Sequence, residues 1–386
     1  MPTKAESTEI GSGRAPSRFG AAYRVLEEAI AARAFPGCAF GVWVGGEAVL
    51  PATHPPATHI GALGRFTFEP ESPLVSAETA YDVASLTKVV ATTAAMMLLV
   101  QRQQIDVDTL LGDLLPGFVV GRAPGDAARK VTLRHLLAHN SGLPGYVELF
   151  RRTTTPEALF RACLELPLEV EPGTRAEYSD PGFILLGKAL EVRTGETLDL
   201  WLGREVLRPL GMSATGFCPA PALRDAIPPT EVDTWFRHRL IQGEVQDENA
   251  WVLGGVAGHA GLFSNVADLL RYAAEIVNAG AEISPKGAPN LFEAATVKRF
   301  IQRQEPAGSS RALGWDTPSG NSSAGKHFSS HSVGHLGFSG CSLWIDLEAA
   351  VAVVLLTNRT LPDRKSQLIR EVRPAFHDAI REALQR

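Results

Sequence analysis

One segment of this chain, residues 85–103 with the sequence SLTKVVATTAAMMLLVQRQ, has almost no polar side when it is wound as a helix. A helix that is apolar nearly all round must lie inside a protein core or a membrane, because no face of it suits water. Its apolar run VVATTAAMMLLV and the later run AAVAVVLLT are both shorter than the ~18–20 residues that span a bilayer. The segment therefore predicts a buried helix in a globular protein without a membrane span.

The composition supports a large core and argues against nucleic acid as a partner. Of 386 residues, 45% are hydrophobic and 20% are charged, which is ordinary for a globular protein. A chain of this length suggests roughly two to three domain-sized units, or one large domain with an insertion. The net charge is −5, from 37 basic and 42 acidic residues, and no stretch is strongly basic. Binding to nucleic acid is therefore not expected.

The N-terminal sequence and the cysteines bear on the cellular compartment. The first residues, MPTKAESTEIGSGRAPSRFG, lack the apolar core of a secretory signal, so we expect a cytoplasmic protein. A periplasmic location stays open if a leader has been trimmed. Cys38, Cys163, Cys218 and Cys341 are far apart and form no C-x-x-C pair, which predicts reduced thiols.

Segments that suit strands lie near both ends of the chain. Residues 18–35 have helical spacing of apolar residues, and residues 37–46 and 59–68 suit strands. Residues 341–359 predict two apolar strands around a short turn, followed by a closing helix with a possible break at Pro374. Strands at both ends with mostly helical sequence between them predict one layer of strands and helices that a helical insertion interrupts.

Two S-x-x-K sequences compete as a catalytic pair. Ser85 and Lys88 lie one turn apart at the start of the buried helix, and Asp82 precedes them as a cap. A serine in the first turn lies near unpaired N–H groups, and we expect a partly desolvated lysine there to have a lowered pKa and to accept the serine proton. Ser323 and Lys326 lie in a Gly/Ser-rich loop. The motif alone leaves a second possibility for Ser85, a helix-start serine beside a lysine that reaches towards solvent.

Other motifs lead away from zinc and from the α/β-hydrolase elbow. His135 and His139 have the i, i+4 spacing of zinc proteases, but the residue after the first histidine is Leu136 and not glutamate, so both are expected to be structural. The chain has no G-x-S-x-G. A glycine-rich turn at residues 254–261 is expected to line the cleft, with His259 in a supporting place at most.

Five segments in a fixed order resemble those of the serine β-lactamase-related family, which includes class C β-lactamases, D-alanyl-D-alanine carboxypeptidases and β-lactamase-like esterases. The resemblance covers nearly the whole chain after about residue 19. The segments are YDVASLTK (81–88), VTLRHLLAHNSGLPGY (131–146), PGTRAEYSDPGFILLGKALE (172–191), GGVAGHAGLFSNVADLLRYA (254–273) and VGHLGFSGCSLWID (333–346).

The resemblance implies a fold and a division of the chain. The fold would be α+β, an antiparallel sheet flanked by helices (β-lactamase/transpeptidase-like), with an inserted, mainly helical domain. After a disordered lead-in at residues 1–18, the sheet domain would be built from residues 19–83 and 251–386 and the helical domain from residues 84–250.

The resemblance also implies catalytic residues. Ser85 and Lys88 match the family's first motif, and Tyr178-Ser179-Asp180 matches the second, Y-x-N. Here the chain departs from the pattern, because an ionised aspartate cannot donate a hydrogen bond as asparagine does. Asp180 would either contact the substrate or hold Lys88 charged. Tyr178 and Lys88 would titrate as a coupled pair, so neither is named as the sole base.

The third motif, K-T-G in β-lactamases, is matched by His335-Leu336-Gly337. His335 would contact the substrate and be mostly neutral at pH 7, and the alternative is an ordinary histidine on an exposed strand. Gly337 is expected to keep the backbone open for the close approach of a ligand. The resemblance further implies that the N–H groups of Ser85 and Phe338 form the oxyanion hole.

The implied function is acyl transfer from a small molecule with an ester, amide or lactam carbonyl. Small esters or amides are the first expectation, and β-lactams or D-alanyl peptides are the alternative, as is a non-catalytic penicillin-binding-like sensor. With His335 in place of lysine and a carboxylate at Asp180, neutral short-chain esters are expected to be better substrates than penicillins or D-alanyl peptides. No cofactor, metal, nucleic acid or membrane is expected, and the oligomeric state stays open.

Overall fold

The computed structural model describes residues 18–45, 57–283 and 289–385 of the chain. The lead-in expected at residues 1–18 falls outside them except for Arg18, whose Nε donates to the carbonyl of Ala383 at 2.9 Å. Among the described residues, no helix is both long enough and apolar enough to cross a membrane.

The strands gather at the two ends of the chain, as the sequence predicts. The hydrophobic segments near residues 40 and 350 form strands of eight and seven residues, a further strand of eight residues follows the first, and shorter strands lie between. In chain order the strands are β1 (Gly37–Val44), β2 (Ala57–Gly64), β3 (Tyr81–Asp82), β4 (Gly216–Phe217), β5 (Glu231–Asp233), β6 (Arg239–Ile241), β7 (Leu262–Ser264), β8 (Ser332–Leu336), β9 (Ser342–Asp346) and β10 (Val351–Thr357).

The main sheet joins the N-terminal strands to the C-terminal ones. Its order is β2-β1-β10-β9-β8, and every neighbouring pair is antiparallel. A three-stranded sheet, β3-β7-β4, and a two-stranded sheet, β5-β6, are separate from it. Strand β8, which carries His335, lies at one edge of the main sheet.

The helices include the predicted first and closing helices. The closing helix is continuous through Pro374, so the break that the sequence suggested there is wrong. The α-helices are α1 (Gly20–Ala31), α2 (Ala94–Gln101), α3 (Leu111–Leu114), α4 (Leu133–Leu137), α5 (Pro156–Leu164), α6 (Asp180–Thr194), α7 (Leu198–Leu202), α8 (Glu248–Val252), α9 (Val266–Gly280), α10 (Ala294–Phe300) and α11 (Ile369–Gln385). Lys88–Thr93 and Gly203–Leu207 are π-helical, and Pro116–Phe118, Ala127–Lys130, Leu149–Arg151 and Pro221–Ala226 are short 3-10 turns.

The two faces of the sheet belong to two apolar clusters. Strand β1 alternates between them: Phe40 and Val42 pack with the residues of α1 and α11, whereas Ala39 and Trp43 belong to the larger cluster that holds α2 and α9. The sheet is thus covered by α1 and α11 on one face and by α9 on the other. This confirms the predicted α+β fold of an antiparallel sheet flanked by helices.

The division into domains stays a prediction. The five strands of the main sheet come from residues 37–64 and 332–357, and the segment 84–250 is mostly helical apart from β4, β5 and β6. Strand β3 lies just before residue 84 and pairs with β7, just after residue 250. The two crossings between the predicted domains therefore lie side by side.

The packing of α11 on the sheet predicts a dependence of stability on pH. His377 is fully buried, where its Nδ1–H donates to the carbonyl of Ser323 at 2.7 Å and its Nε2 lies 3.2 Å from Ser342 Oγ. Burial lowers the pKa of His377 to about 4. Because the unfolded histidine takes up a proton near pH 6.5 and the folded one does not, stability is lost as the pH falls from about 6.5 to 4.

We expect His377→Gln to reduce this acid-induced loss of the free energy of unfolding by about 3 kcal/mol, the free energy that corresponds to the shift to about 4. Urea unfolding at several pH values between 4 and 7.5 measures it. His331→Gln, at an exposed histidine, is the matched control. It should leave the change of the free energy of unfolding with pH the same as in the parent protein. An equal slope in the parent and in His377→Gln would contradict the assignment.

Candidate active site

The buried helix opens with an unusual turn at the position of the predicted pair. Its first residues after Ser85 lead into the π-helical segment Lys88–Thr93, which continues into α2. Such segments are rare and frequently lie at functional sites. All of Lys88–Thr93 is buried, and Thr92 Oγ1 donates to the carbonyl of Gly258 at 2.6 Å. Lys88 therefore extends from a fixed backbone inside the protein.

A tight turn presents Ser85 at the start of this helix. Ala84, the residue before it, has a φ of 47°, in the left-handed region that alanine rarely adopts. Asp82 was predicted to cap the helix, but its carboxylate stabilises the turn before it: Oδ1 accepts the N–H of Ala84 at 2.8 Å, and Oδ2 accepts that of Gln246 at 2.7 Å. Strained backbone of this kind concentrates at functional sites, where the surrounding structure maintains it.

The hydroxyl of Ser85 lies between the two predicted proton-transfer groups. Tyr178 donates its phenolic O–H to Ser85 Oγ at 2.7 Å, and Lys88 Nζ lies 3.1 Å from the same oxygen. The ammonium of Lys88 is 4.8 Å from the centre of the Tyr178 ring. The structure thus brings Tyr178 into contact with Ser85 and Lys88, although Tyr178 and Ser85 are 93 positions apart in the sequence. Ser323, of the other S-x-x-K sequence, lies in a loop beside α11.

The second motif is held against the loop that the segment HNSGLPG forms. His139 Nδ1 accepts the N–H of Ser179 at 3.0 Å, and its ring lies 4.6 Å from that of Tyr178. Ser179 Oγ donates to the carbonyl of Pro144 at 2.8 Å and accepts the N–H of Gly182, so Ser179 is the N-cap of α6. His139, which was expected to be structural, therefore packs on the ring of Tyr178 and binds the backbone next to it.

Asp180 forms a buried ion pair with Lys88. Its Oδ1 lies 2.6 Å from Lys88 Nζ, with a side-chain exposure of 14% for Asp180 and none for Lys88. The carboxylate is also at the first turn of α6, where the helix dipole favours negative charge. This geometry supports the expectation that Asp180 holds Lys88 charged, and a contact between Asp180 and the substrate stays a prediction.

The expected lowering of the Lys88 pKa is wrong. Burial alone would lower the pKa of Lys88, but the negative charge of Asp180 and the hydrogen bond with it outweigh burial, and the pKa is raised. Lys88 Nζ faces three oxygens, those of Ser85, Asp180 and the carbonyl of His259, which match the three donors of an ammonium. Burial raises the pKa of Tyr178 more than Lys88 lowers it, so the phenol is protonated.

The glycine-rich turn contributes a backbone oxygen that the sequence did not predict. The carbonyl of His259 accepts from Lys88 Nζ at 3.0 Å. This approach needs Gly187 and Gly258, because a Cβ on Gly187 would lie 2.8 Å from the Cα of Gly258. His259 Nε2 in turn lies 2.8 Å from Asp247 Oδ1, which fixes the imidazole behind the turn.

His335 is buried on the edge strand β8, so the alternative of an exposed strand histidine is wrong. Its Nδ1–H donates to the carbonyl of Leu336 at 2.8 Å, which leaves the lone pair on Nε2 without a partner among the described residues. Burial, with the positive charge of Lys88 and Arg311, holds the pKa of His335 well below its ordinary value. His335 is therefore neutral at pH 7, and its ring lies 5.8 Å from that of Tyr178.

Gly337 packs closely against another part of the chain, and the close approach of a ligand to it stays a prediction. A Cβ at this position would lie 2.5 Å from the carbonyl oxygen of Val83, in the turn before Ser85. Ser339 Oγ also donates to the carbonyl of Asp82 at 2.8 Å. The third motif and the turn that carries Ser85 are therefore packed directly against each other.

A buried arginine orients the predicted oxyanion donor of Phe338. Arg373 of α11 donates to the carbonyls of Gly337 at 2.6 Å, of Cys341 at 2.9 Å and of Gly340 at 3.1 Å. In a trans peptide the C=O and the following N–H point in opposite directions. Because the carbonyl of Gly337 points at Arg373, the N–H of Phe338 points to the opposite side, away from Arg373. No described residue accepts it.

The N–H of Ser85 is oriented in the same manner. The carbonyl of Ala84 accepts both the N–H of Thr87 at 3.0 Å and its Oγ1 hydroxyl at 2.6 Å, so the N–H of Ser85 is directed to the opposite side. Within the described ranges this N–H also has no acceptor. Unpaired N–H groups are what an oxyanion hole requires, and the assignment of these two to one stays a prediction.

The structure brings the predicted site residues to one place and adds others. Ser85, Lys88, Tyr178 and Asp180 are in direct contact, and the ring of His335 lies 5.8 Å from that of Tyr178. Gly337 packs against the turn before Ser85, and the place of Phe338 in the oxyanion hole stays a prediction. The sequence offered no signal for the roles of Arg373 and of the His259 carbonyl, because both act through backbone oxygens. The four cysteines are unpaired, and Cys218 is the exposed one.

Comparisons with known proteins identify the family of this chain. The model of the Beta-lactamase family matches residues 23–374. A protein of Salmonella paratyphi B, whose provisional name is D-alanyl-D-alanine carboxypeptidase, is 33% identical over 314 residues, which are 73% of this chain and 69% of that protein. Relatives from Salmonella newport and Salmonella typhimurium have the same name and the same identity.

Two solved structures have a similar fold at low sequence identity. EstCE1, described as a hydrolase with promiscuous acyltransferase activity, has a TM-score of 0.73 and 22% identity over 94% of this chain and 98% of its own. A penicillin-binding protein homologue from Caulobacter crescentus has a TM-score of 0.71 and 18% identity over 96% of this chain and 99% of its own. From the match to the family model over residues 23–374, this chain belongs to the Beta-lactamase family of serine hydrolases.

Proposed function

We propose that this chain is a serine hydrolase that acts on small esters or amides through an acyl-enzyme. The observation that supports it is the contact of Ser85 Oγ with both Tyr178 O–H and Lys88 Nζ, at 2.7 and 3.1 Å. A protein that only binds ligands does not need a buried lysine, a buried phenol and a serine hydroxyl at one point. A non-catalytic sensor is therefore the less favoured candidate.

The chemistry follows from the positions of these groups. Ser85 Oγ forms a bond to the substrate carbonyl carbon, its proton passes to the coupled pair of Tyr178 and Lys88, and the oxyanion accepts hydrogen bonds from the N–H groups of Ser85 and Phe338. The tetrahedral intermediate then expels the alkoxide or amine, which takes up the proton. Water attacks the resulting ester of Ser85 and releases the acid, with the same pair moving the proton in reverse.

The resting site holds one proton more than the reactive form. Lys88 is an ammonium and Tyr178 is a phenol, since both pKa values are raised. Ser85 can lose its proton only to a pair that has first lost one. Turnover should therefore increase as the pH rises above neutrality, and the apparent pKa of this increase belongs to the pair and not to one residue.

The D-alanyl-D-alanine carboxypeptidase or β-lactamase activity is the second candidate. It is supported by the provisional name of the Salmonella relatives at 33% identity. A panel of 4-nitrophenyl esters, a cephalosporin and a D-alanyl-D-alanine peptide, all at one pH and ionic strength, separates the candidates. We expect the highest kcat/KM for an ester. A clear preference for the D-alanyl-D-alanine peptide would assign the carboxypeptidase activity instead.

The first prediction from this mechanism concerns the nucleophile. Ser85→Ala should abolish labelling by a fluorophosphonate and reduce ester turnover by about 10³-fold or more, because the covalent route is lost. Ser323→Ala is the matched control, since that serine belongs to the other S-x-x-K sequence and lies in the loop beside α11. Labelling of Ser85→Ala to the parental extent, or loss of labelling in Ser323→Ala, would contradict the proposal.

The second prediction concerns Tyr178. Tyr178→Phe keeps the ring that packs on His139 but loses the O–H that contacts Ser85. A general acid–base group is typically worth about 10²–10⁴-fold, so we expect kcat to fall within that range without a change in thermal unfolding. Tyr146→Phe, at an exposed tyrosine, is the control. If Tyr178→Phe lowers kcat by less than about threefold, the proton transfer belongs to Lys88 alone.

A further inference from the structure

Arg311 lies beside the proposed site, and no motif of the sequence analysis included it. Its guanidinium carbon is 5.4 Å from the centre of the Tyr178 ring, the ring whose hydroxyl contacts Ser85. The side chain of Arg311 is 22% exposed, so it is largely desolvated yet reachable from solvent. Arg311 is therefore a positive charge at the border of the place where a substrate carbonyl would lie.

The guanidinium of Arg311 is not satisfied by the residues around it. None of its five N–H groups donates a hydrogen bond to another residue in the described ranges, and its nearest carboxylate, that of Asp316, is 3.9 Å away. That distance exceeds the length of a hydrogen bond. By contrast, the nearby Arg303 donates from Nε to Thr317 Oγ1 at 2.7 Å.

The other charges near Tyr178 are already neutralised. Lys88 is paired with Asp180 at 2.6 Å, so neither presents a free charge to a ligand. His335 is neutral, and His139 is buried with its Nδ1 occupied by the N–H of Ser179. His139 therefore carries its proton on Nε2, which has no partner among the described residues. The ring of Tyr178 is thus bordered by Arg311 and His139, whose side-chain N–H donors have no acceptor among the described residues.

We propose that Arg311 binds a carboxylate of the substrate, so that the preferred esters or amides carry a carboxylate near the scissile carbonyl. This inference rests on the proposed function. The planar guanidinium matches the two oxygens of a carboxylate, which makes such a contact bidentate and strong. Arg311 would then supply the charge that His335 lacks. The sequence-based expectation of a preference for neutral esters took no account of Arg311, and it also treated Asp180 as a free negative charge.

The first test compares substrates in matched pairs. The pairs are the 4-nitrophenyl half-esters of succinate and glutarate against 4-nitrophenyl butanoate and pentanoate, which have the same acyl length without the charge. We expect Arg311→Gln to lower the ratio of kcat/KM, charged to neutral, by about tenfold or more, and Arg311→Lys to lower it less. Arg303→Gln, which removes one positive charge from the same region, should leave the ratio unchanged.

Asp316→Asn provides a test of the opposite sign. It removes the negative charge closest to Arg311, which would compete with a substrate carboxylate. The ratio of kcat/KM for the charged ester to that for the neutral ester should therefore rise. A ratio within twofold of the parent value in Arg311→Gln for both pairs would overturn the inference, as would an equal loss on charged and neutral esters. Because the ratio is measured on active enzyme, these outcomes leave the proposed hydrolase function intact.

A binding measurement separates the inference from the chemistry. In the Ser85→Ala background, calorimetry with monoethyl glutarate should show a Kd that Arg311→Gln raises by about tenfold or more and Arg303→Gln does not. Equal affinity with and without Arg311, or no binding to the Ser85→Ala protein, would overturn the role of Arg311. Failure of the parent to turn over any ester would instead refute the proposed function, and the calorimetry would still decide on Arg311.

Discussion

The buried ion pair of Lys88 and Asp180 is the contact on which the rest of the site depends. An unpaired ammonium without solvent exposure would be destabilised by several kcal/mol, so Lys88 can be buried only because Asp180 lies 2.6 Å from it. The pair joins the start of the central helix to the start of α6. The carbonyl of His259 adds the glycine-rich turn to the same ammonium. Three distant segments of the chain are thereby fixed around one nitrogen, and Ser85 lies at its side.

The N–H groups that we propose as oxyanion donors depend on a second set of buried contacts, in which carbonyl groups accept hydrogen bonds. Arg373 donates hydrogen bonds to three backbone carbonyls of the loop 337–341. The side-chain hydroxyl of Thr87 donates one to the backbone carbonyl of Ala84. Each contact fixes the plane of a peptide whose N–H is then directed to the other side. The scaffold therefore sets the position of the donors before any substrate binds, which is the condition for effective electrostatic stabilisation. The closing helix α11 thus reaches the third motif through the side chain of Arg373.

The sequence predicted those parts of the molecule that local pattern determines. The apolar segment after Ser85, the strands at both ends and the closing helix follow from periodicity and from turn residues, and Ser85, Lys88 and Tyr178 follow from the order of the motifs. The S-x-x-K motif predicted a lowered pKa for Lys88, and the second motif offered Asp180 as the group that would hold Lys88 charged. Which of the two effects prevails depends on a tertiary contact, because Asp180 lies 92 positions away along the chain. The packing of Gly337 against the carbonyl of Val83 could not be predicted either, because the two residues are distant in sequence. Arg311, Arg373 and the His259 carbonyl belong to no pattern, since their roles arise from tertiary contacts.

The account makes Lys88 an ammonium in the resting protein, and a direct titration tests this most sharply. With lysine labelled with ¹³C at the ε-carbon, the Lys88 resonance, assigned by its absence in Lys88→Met, can be followed as a function of pH. We expect Lys88 to remain protonated throughout the neutral range with a pKa above that of free lysine, and Asp180→Asn to lower that pKa. A Lys88 that loses its proton between pH 7 and 8 in the parent protein would contradict the account and would restore a neutral lysine as the base.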